Sequence, residues 1–165
     1  MLPEAVDAWL QANGYGGVSA TRPVGGGCIN NGMRLETTSG ESFFLKINQH
    51  APPDMFGREA EGLRALAAAG VVRIPQTYLH GVDFLLLEDL KPAARQRDYY
   101  AVLGRQLAAL HDHIHAHFGF AHDNYIGATP QVNTWTKDGH AFFAEHRLLF
   151  QAQLARQRGY LSAAE

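Results

Sequence analysis

The order of strand-like and helix-like segments is the feature that most constrains the fold of this chain. Strand-like segments dominate its first half, and past Pro92 only helix-like segments follow. The predicted strands lie within residues 16–48, 76–80 and 83–88. The predicted helices cover residues 3–13, 54–69, 98–115 and 139–157. A doubly wound sheet needs regular alternation of strand and helix, so we expect an α+β chain with an antiparallel sheet.

Side-chain patterns within these segments predict which faces are apolar. In the strand over 42–48, Phe43, Leu45 and Ile47 point one way and Lys46 points the other. The helix over 98–115 carries an apolar face made of Leu103, Leu107, Leu110 and Ile114. Four residues of the last helix are expected to face inward: Phe143, Leu149, Phe150 and Leu154. Residues 118–134 read as a loop.

Composition excludes several classes of protein. The 165 residues are 46% apolar, which suits a folded chain with a real core, and the net charge of -2 gives no reason to expect nucleic acid or an anionic membrane as partner. Glu4 and Asp7 stand where a signal peptide needs basic residues, and no apolar run is long enough for a membrane span. With Cys28 as the only cysteine, no internal disulfide can form, so we expect a cytoplasmic protein.

A glycine-rich segment, residues 25–32, lies between two predicted strands. Glycine lets backbone N–H groups approach phosphate oxygens without a Cβ in the way. No Gly-Lys-Ser/Thr follows, which excludes a Walker A loop, and Asn30 replaces the third glycine of a dinucleotide fingerprint. Taken alone, the segment is better explained as a tight hairpin without a ligand.

Lys46 and Glu59 form the stronger signal. Lys46 interrupts an apolar strand, where kinases carry a lysine that pairs with nucleotide phosphates and with a helix glutamate. Glu59 lies in the apolar stripe of the next helix, between Phe56 and Leu63, and an inward carboxylate is costly unless it is paired. We therefore predict a Lys46–Glu59 ion pair. A lysine at a sheet edge and a glutamate that reaches solvent are the alternatives.

The apolar strand at 83–88 leads directly into a linker. This arrangement would place backbone groups of Glu88 and Leu90 beside an adenine. Because side-chain identity matters little for backbone contacts, an ordinary core strand explains the pattern as well.

Six segments together resemble the fructosamine (ketosamine) kinase family. They are GGGCINNGMRL at 25–35, FFLKIN at 43–48, MFGREAEGLRAL at 55–66, LGRQLAALH at 103–111, FGFAHDNYIGATPQVNTW at 118–135 and FFAEHRL at 142–148. The segment at 118–135 is the most specific, since the glycine segment and Lys46 also suit aminoglycoside phosphotransferases. The resemblance implies a protein-kinase-like N-lobe over 1–90 and a linker with a partial helical C-lobe over 91–165.

The resemblance also implies an activity and its cofactors. The family uses ATP and Mg²⁺ to phosphorylate O3 of the sugar in ketosamines, small or protein-bound, which makes the glycation adduct unstable and repairs the amine. Lys46 resembles the phosphate-binding lysine, and Glu59 resembles its helix partner. The loop that covers the phosphates corresponds to Gly26, Gly27, Cys28, Asn30, Asn31 and Gly32. The candidates near the sugar are Asn124, Tyr125 and Trp135.

The family's catalytic loop, His-Gly-Asp-Leu-Trp-x-Gly-Asn, has no counterpart in this sequence, and neither does its Asp-Pro-Ala metal motif. The resemblance thus implies that the base and the Mg²⁺ ligands lie beyond residue 165. The sequence His80-Gly81-Val82-Asp83 has one residue too many, and His122-Asp123-Asn124 falls within the segment assigned to the sugar. Alternative functions are a kinase for an aminoglycoside, choline or another small alcohol, and a non-catalytic fragment that binds nucleotide or self-associates.

Two further features carry weaker hypotheses. Cys28 lies in the phosphate-covering loop, where backbone N–H groups favour a thiolate, so we hypothesise that a disulfide to a second copy changes nucleotide binding. A small residue that fills a tight turn explains the cysteine equally well. A homodimer could also form through exposed apolar stripes on the C-terminal helices. The histidines between His111 and His122 alternate between two helix faces, which favours a solvated helix end over a metal site.

Overall fold

The fold was analysed in a computed structural model that describes residues 2–25 and 31–162. Its helices are α1 (Glu4–Ala12), α2 (Met55–Ala68), α3 (Tyr99–His111), α4 (Gly139–Phe143) and α5 (Phe150–Gln157), with a π-helical turn over Ala144–Leu149. Its strands are β1 (Val18–Val24), β2 (Asn31–Thr37), β3 (Ser42–Ile47), β4 (Thr77–His80), β5 (Phe84–Glu88), β6 (Asn124–Ile126) and β7 (Thr129–Gln131). The expected α+β class is confirmed.

Strands β1 to β5 form one antiparallel sheet in the order β1-β2-β3-β5-β4. The hairpin between β2 and β3 turns at Gly40, whose φ of 94° suits a residue without a Cβ. Because β5 inserts between β3 and β4, the central strand β3 is paired with β2 over Ser42–Ile47 and with β5 over Phe43–Ile47. The sheet can therefore hold a side chain of β3 in a fixed position.

The two faces of the sheet are covered by different helices. Helix α1 contributes Val6 and Leu10 to a buried cluster with alternate strand residues: Leu35, Phe43, Leu45, Phe84 and Leu86. Helix α2 contributes Phe56 and Ala60 to a second cluster that includes Leu85 and Leu87. Adjacent residues of β5 thus serve opposite cores, as the period-two geometry of a strand requires. The prediction that Phe43 and Leu45 point away from Lys46 is confirmed.

The chain separates into two compact units, 1–113 and 114–165. Helix α3 belongs to the first unit, and none of its residues is buried. Leu103 and Leu107 of its apolar face are 42% and 47% exposed, and self-association through the C-terminal helices stays a prediction. The lobe boundary predicted near residue 90 differs from this separation and stays a prediction.

The second unit departs from the sequence-based expectations in two places. Residues 118–134 are not all loop, since β6 and β7 form a short hairpin around Gly127. The last helix is not a regular α-helix, because the π-helical turn adds a residue between α4 and α5. Phe143 and Leu149, expected to face inward, are 57% and 56% exposed. A strict 3.6-residue period does not hold across such a turn.

Candidate functional site

Lys46 lies on the sheet face that α2 covers. In the strand register, Lys46 of β3 is opposite Gly32 of β2 on one side and opposite Leu85 of β5 on the other. Leu85 is fully buried in the cluster beneath α2. The end of the glycine-rich segment and the lysine are thus neighbours across one pair of strands.

Glu59 of α2 reaches Lys46 from above this face. The ammonium of Lys46 donates to Oε1 of Glu59 at 2.6 Å, and the two side chains are 23% and 30% exposed. Phe56 and Ala60, on the same side of the helix, are completely buried and fix its rotation. Glu61 instead pairs with Arg58 along the helix. The ion pair expected from the apolar stripe is therefore present, and its role in nucleotide binding stays a prediction.

Gly32 is required for close packing at the start of β2. A Cβ on this residue would lie 3.0 Å from the tip of the Phe44 ring and 3.2 Å from the carbonyl oxygen of Val24. Phe44 therefore packs directly against the backbone that ends the glycine-rich segment. Asn31, the first residue of β2, is exposed. The other predicted loop residues lie outside the described residues: Gly26, Gly27, Cys28 and Asn30.

Glu88 and Leu90, the residues predicted to present backbone groups to a base, flank the end of β5. The carboxylate of Glu88 pairs with Arg73 and accepts a hydrogen bond from the Gln76 N–H at 3.2 Å. The Glu88 N–H donates to the carbonyl of Gln76 at 2.8 Å. Leu90 is 42% exposed. The Glu88 side chain is thus tied to the segment that leads into β4.

Arg34, Ser42 and Asp89 form a cluster that sequence reasoning missed. Arg34 donates from Nε to Oδ2 of Asp89 at 2.7 Å and from a terminal nitrogen to Oδ1 at 3.1 Å, and Ser42 Oγ donates to Oδ2 at 2.8 Å. Burial alone would raise the pKa of Asp89, but the hydrogen bonds from Arg34 and Ser42 lower it below its usual value. The only sequence signal is that Arg34 and Ser42 share the strand alternation of Lys46, while Asp89 follows a buried strand.

The candidates near the sugar lie in the second unit. Asn124 and Tyr125 belong to β6, and Trp135 is 46% exposed with its ring stacked on His115 at a centroid distance of 4.9 Å. Within the described residues, the buried Oδ1 of Asn124 has no hydrogen-bond partner. An unpaired buried acceptor is costly, so this atom is available for a donor group.

A hydrogen-bond network holds the segment that carries these candidates. Asn133, 2% exposed, donates its backbone N–H to Asp123 Oδ1 at 2.7 Å and accepts from Arg147 at 2.6 Å on its side-chain oxygen. Arg147, in the π-helical turn, also donates to the carbonyl of Val132 at 2.6 Å. Burial lowers the pKa of Arg147, and the Asp123 carboxylate partly offsets that effect. Asp123 therefore has a structural partner, and its exclusion as a base stays a prediction.

The histidines do not form the faces expected of them. Helix α3 ends at His111, so His113, His115 and His117 lie beyond it and do not share a helical repeat. Within residues 2–25 and 31–162, no three side chains of the metal-ligating types come together. In the same residues no helix combines the length and apolar character needed to cross a bilayer.

A groove of about 630 Å³ lies on the first unit. Its lining residues come from α2, the segment before it and the β4–β5 turn: Pro53, Asp54, Gly57, Arg58, Glu61, Arg64, His80, Gly81 and Val82. Among the described residues, none of the predicted site residues is part of this lining.

Comparison with known proteins gives consistent similarities. The sequence model described as fructosamine kinase matches residues 1–165. The chain is 43% identical over 146 residues to a probable ketoamine kinase of Synechocystis, covering 86% of this chain and 49% of that protein. It is 37% identical over 163 residues to a chloroplastic protein-ribulosamine 3-kinase of Oryza sativa subsp. indica, covering 94% and 47%.

Solved structures show the same likeness. A putative fructosamine-3-kinase of Thermobifida fusca superposes with a TM-score of 0.84 at 26% identity, covering 99% of this chain and 58% of that one. The counterpart from Haemophilus somnus gives 0.82 at 25% identity, covering 93% and 54%. The architecture is therefore kinase-like. The chain spans about half the length of the curated relatives it matches.

Proposed function

The chain belongs to the fructosamine kinase family, and from that membership we propose that it supplies the ATP-binding part of a kinase that phosphorylates ketosamines. The relatives are named as ketoamine and ribulosamine kinases, which supports this substrate class. We place the phosphoryl-transfer groups and the Mg²⁺ ligands in the part of the relatives that this chain does not span.

The Lys46–Glu59 ion pair is the observation that carries the proposal. A lysine held by a helix carboxylate at 2.6 Å has its ammonium fixed, so little side-chain entropy is lost when it meets a phosphate. Gly32, opposite Lys46, has no Cβ, so the strand that ends the glycine-rich segment can pack closely beside the lysine. The residues present therefore fit a nucleotide: Lys46 would hold its phosphates, and ATP would supply the transferable phosphoryl group.

Nucleotide binding and phosphoryl transfer can be tested separately. Titration of the 165-residue chain with a fluorescent ATP analogue in the presence of Mg²⁺ should give saturable binding. Lys46→Met should weaken binding at least tenfold, since a charge-assisted phosphate contact is lost. Lys137→Met removes an exposed lysine from the second unit and should leave the affinity unchanged. Equal affinities of wild type and Lys46→Met would overturn the assignment of the lysine.

Release of ADP with a simple fructosamine tests the chemistry. The 165-residue chain should bind ATP without turnover, while the full-length Synechocystis relative serves as the active comparison. Turnover by the chain alone would overturn the placement of the catalytic groups outside it. A cytoplasmic location is part of the proposal, although the rice relative is described as chloroplastic.

A self-associating fragment is the second candidate function. Its supporting observation is α3, where Leu103, Leu107 and Tyr100 are 42%, 47% and 70% exposed and no residue is buried. Such an apolar stripe associates readily in water. Analytical ultracentrifugation with Leu103→Lys and Leu107→Lys tests this candidate, because a dimer formed through α3 should dissociate. A dimer that persists in both variants would reject α3 as its interface.

A further inference from the structure

We propose that Arg34, Ser42 and Asp89 act as a positioning clamp, which fixes the linker after β5 so that its backbone can receive the base of the nucleotide. The inference rests on the proposed ATP-binding function and adds three positioning residues to it. These side chains are not assigned a phosphate contact.

The clamp joins three separate stretches of the chain. Asp89 receives two hydrogen bonds from the Arg34 guanidinium of β2, at 2.7 and 3.1 Å, and one from the Ser42 hydroxyl of β3, at 2.8 Å. The Asp89 side chain is only 4% exposed. A carboxylate with three donors and almost no contact with water has one preferred position.

The neighbouring residue is anchored on the other side of the strand. Glu88 is opposite Phe43 in the strand register, and its carboxylate binds Arg73 and the Gln76 N–H. Asp89 follows the alternation to the α2 face, where Arg34 and Ser42 bind it. Two successive side chains are thus held on opposite faces, which restrains the backbone between them. This is the backbone that we predict to lie beside the base.

The clamp and the phosphate-binding lysine share one sheet face. Ser42 and Lys46 are four residues apart on β3, which corresponds to about 13 Å along the strand. That separation is comparable with the reach from the base to the phosphates of an extended nucleotide. The residues predicted to position the two ends of the nucleotide therefore include one from each end of the same strand, β3.

A buried ion pair gains little net stability, because desolvation offsets much of its attraction. Its main effect here is on geometry. A linker that moves by about 1 Å loses well-aligned hydrogen bonds to the base edge but keeps the phosphate contacts of Lys46. The clamp should therefore control affinity for the base and leave affinity for the phosphates unchanged.

Competition between two probes tests this separation. Wild type, Asp89→Asn, Arg34→Lys and Ser42→Ala are titrated with a fluorescent ATP analogue, which is then displaced by ATP or by inorganic tripolyphosphate. Asp89→Asn and Arg34→Lys should bind ATP about tenfold more weakly, as expected for one or two lost backbone–base hydrogen bonds. Their affinity for tripolyphosphate should change less than twofold. Ser42→Ala, which keeps the Arg34 contacts, should fall between wild type and these variants.

A matched control is Glu4→Gln, which removes an exposed carboxylate from α1, on the sheet face opposite the clamp. It should change neither affinity. Equal ATP affinity in wild type and in the folded clamp variants would overturn the clamp alone, even if the variants melt at a lower temperature. Clamp variants that lose affinity for ATP and for tripolyphosphate to the same extent would also overturn the clamp, because a general loss of order in the binding site predicts that result.

Failure of the proposed function gives a different result. A wild-type chain that binds neither ATP nor tripolyphosphate would overturn nucleotide binding and the clamp together. If Asp89→Asn does not fold, Ser42→Ala decides the question, because its fully retained Arg34–Asp89 pair preserves the buried charge balance.

Discussion

Replacement of Phe56 by alanine should detach α2 from the sheet more than any change on its outer side. Phe56 is completely buried and packs with Leu85, Leu87 and Ala60. Removal of a fully buried phenylalanine ring costs about 3–5 kcal/mol, because contacts are lost and a cavity remains. For a chain of this size, about 2–4 °C of melting temperature corresponds to 1 kcal/mol, so we expect a decrease of about 6–20 °C.

Leu66→Ala provides the matched control in the same helix. Leu66 is 42% exposed although it continues the apolar stripe of Phe56 and Leu63, so its truncation should change stability by less than about 0.5 kcal/mol. Thermal and urea unfolding followed by circular dichroism measure both variants. Because Glu59 belongs to α2, Phe56→Ala should also weaken ATP binding at temperatures below the melting transition. If the melting temperatures of Phe56→Ala and Leu66→Ala differ by less than roughly 2 °C, Phe56 is not the residue that anchors α2 to the sheet.

Three further predictions concern the other parts of the chain. Gly119→Ala should lower the free energy of unfolding by about 2–3 kcal/mol, because φ is 136° and a Cβ would lie 2.7 Å from the Asn133 carbonyl oxygen. Gly127→Ala, with open space around the new Cβ, should lower it by about 1 kcal/mol in the same thermal unfolding experiment. Arg147→Met should cost about 2–3 kcal/mol in urea unfolding, because it leaves the buried side-chain oxygen of Asn133 without its donor; a cost equal to that of an exposed arginine would contradict the network. The pKa of Asp89 is lower in the folded protein, so its ionised carboxylate stabilises the fold above the ordinary aspartate pKa of about 3.9. This stability is lost as pH falls through the lower folded-state pKa. Acid unfolding of Asp89→Asn should therefore show a flatter loss of stability with falling pH than wild type.

Local periodicity was sufficient to predict much of the first unit. The alternation of Phe43, Leu45 and Lys46 is a property of any strand, and the position of Glu59 in an apolar stripe is a property of any helix. Their combination correctly predicted an ion pair between residues only 13 positions apart. Such pairs need no knowledge of tertiary topology beyond a helix that follows a strand.

Contacts across the sheet order could not be predicted in this way. Arg34 and Asp89 are 55 positions apart and meet because β5 inserts beside β3, which no local pattern encodes. The π-helical turn was missed because no residue type marks it in the sequence. The added residue nevertheless rotates every later side chain around the helix axis. The β6–β7 hairpin has three residues per strand, too short for an alternation to be recognised.

The position of α1 has a consequence for the time course of synthesis. Val6 and Leu10 leave the ribosome well before Leu86, a member of their buried cluster that is 76 residues further along the chain than Leu10. At translation rates of about 5–20 residues per second, the helix waits for about 4–15 s before its last partner is made. A helix of nine residues is not stable by itself in water during that interval. The nascent chain therefore exposes the apolar side of α1 until β5 emerges, and chaperones that bind such segments have several seconds in which to do so.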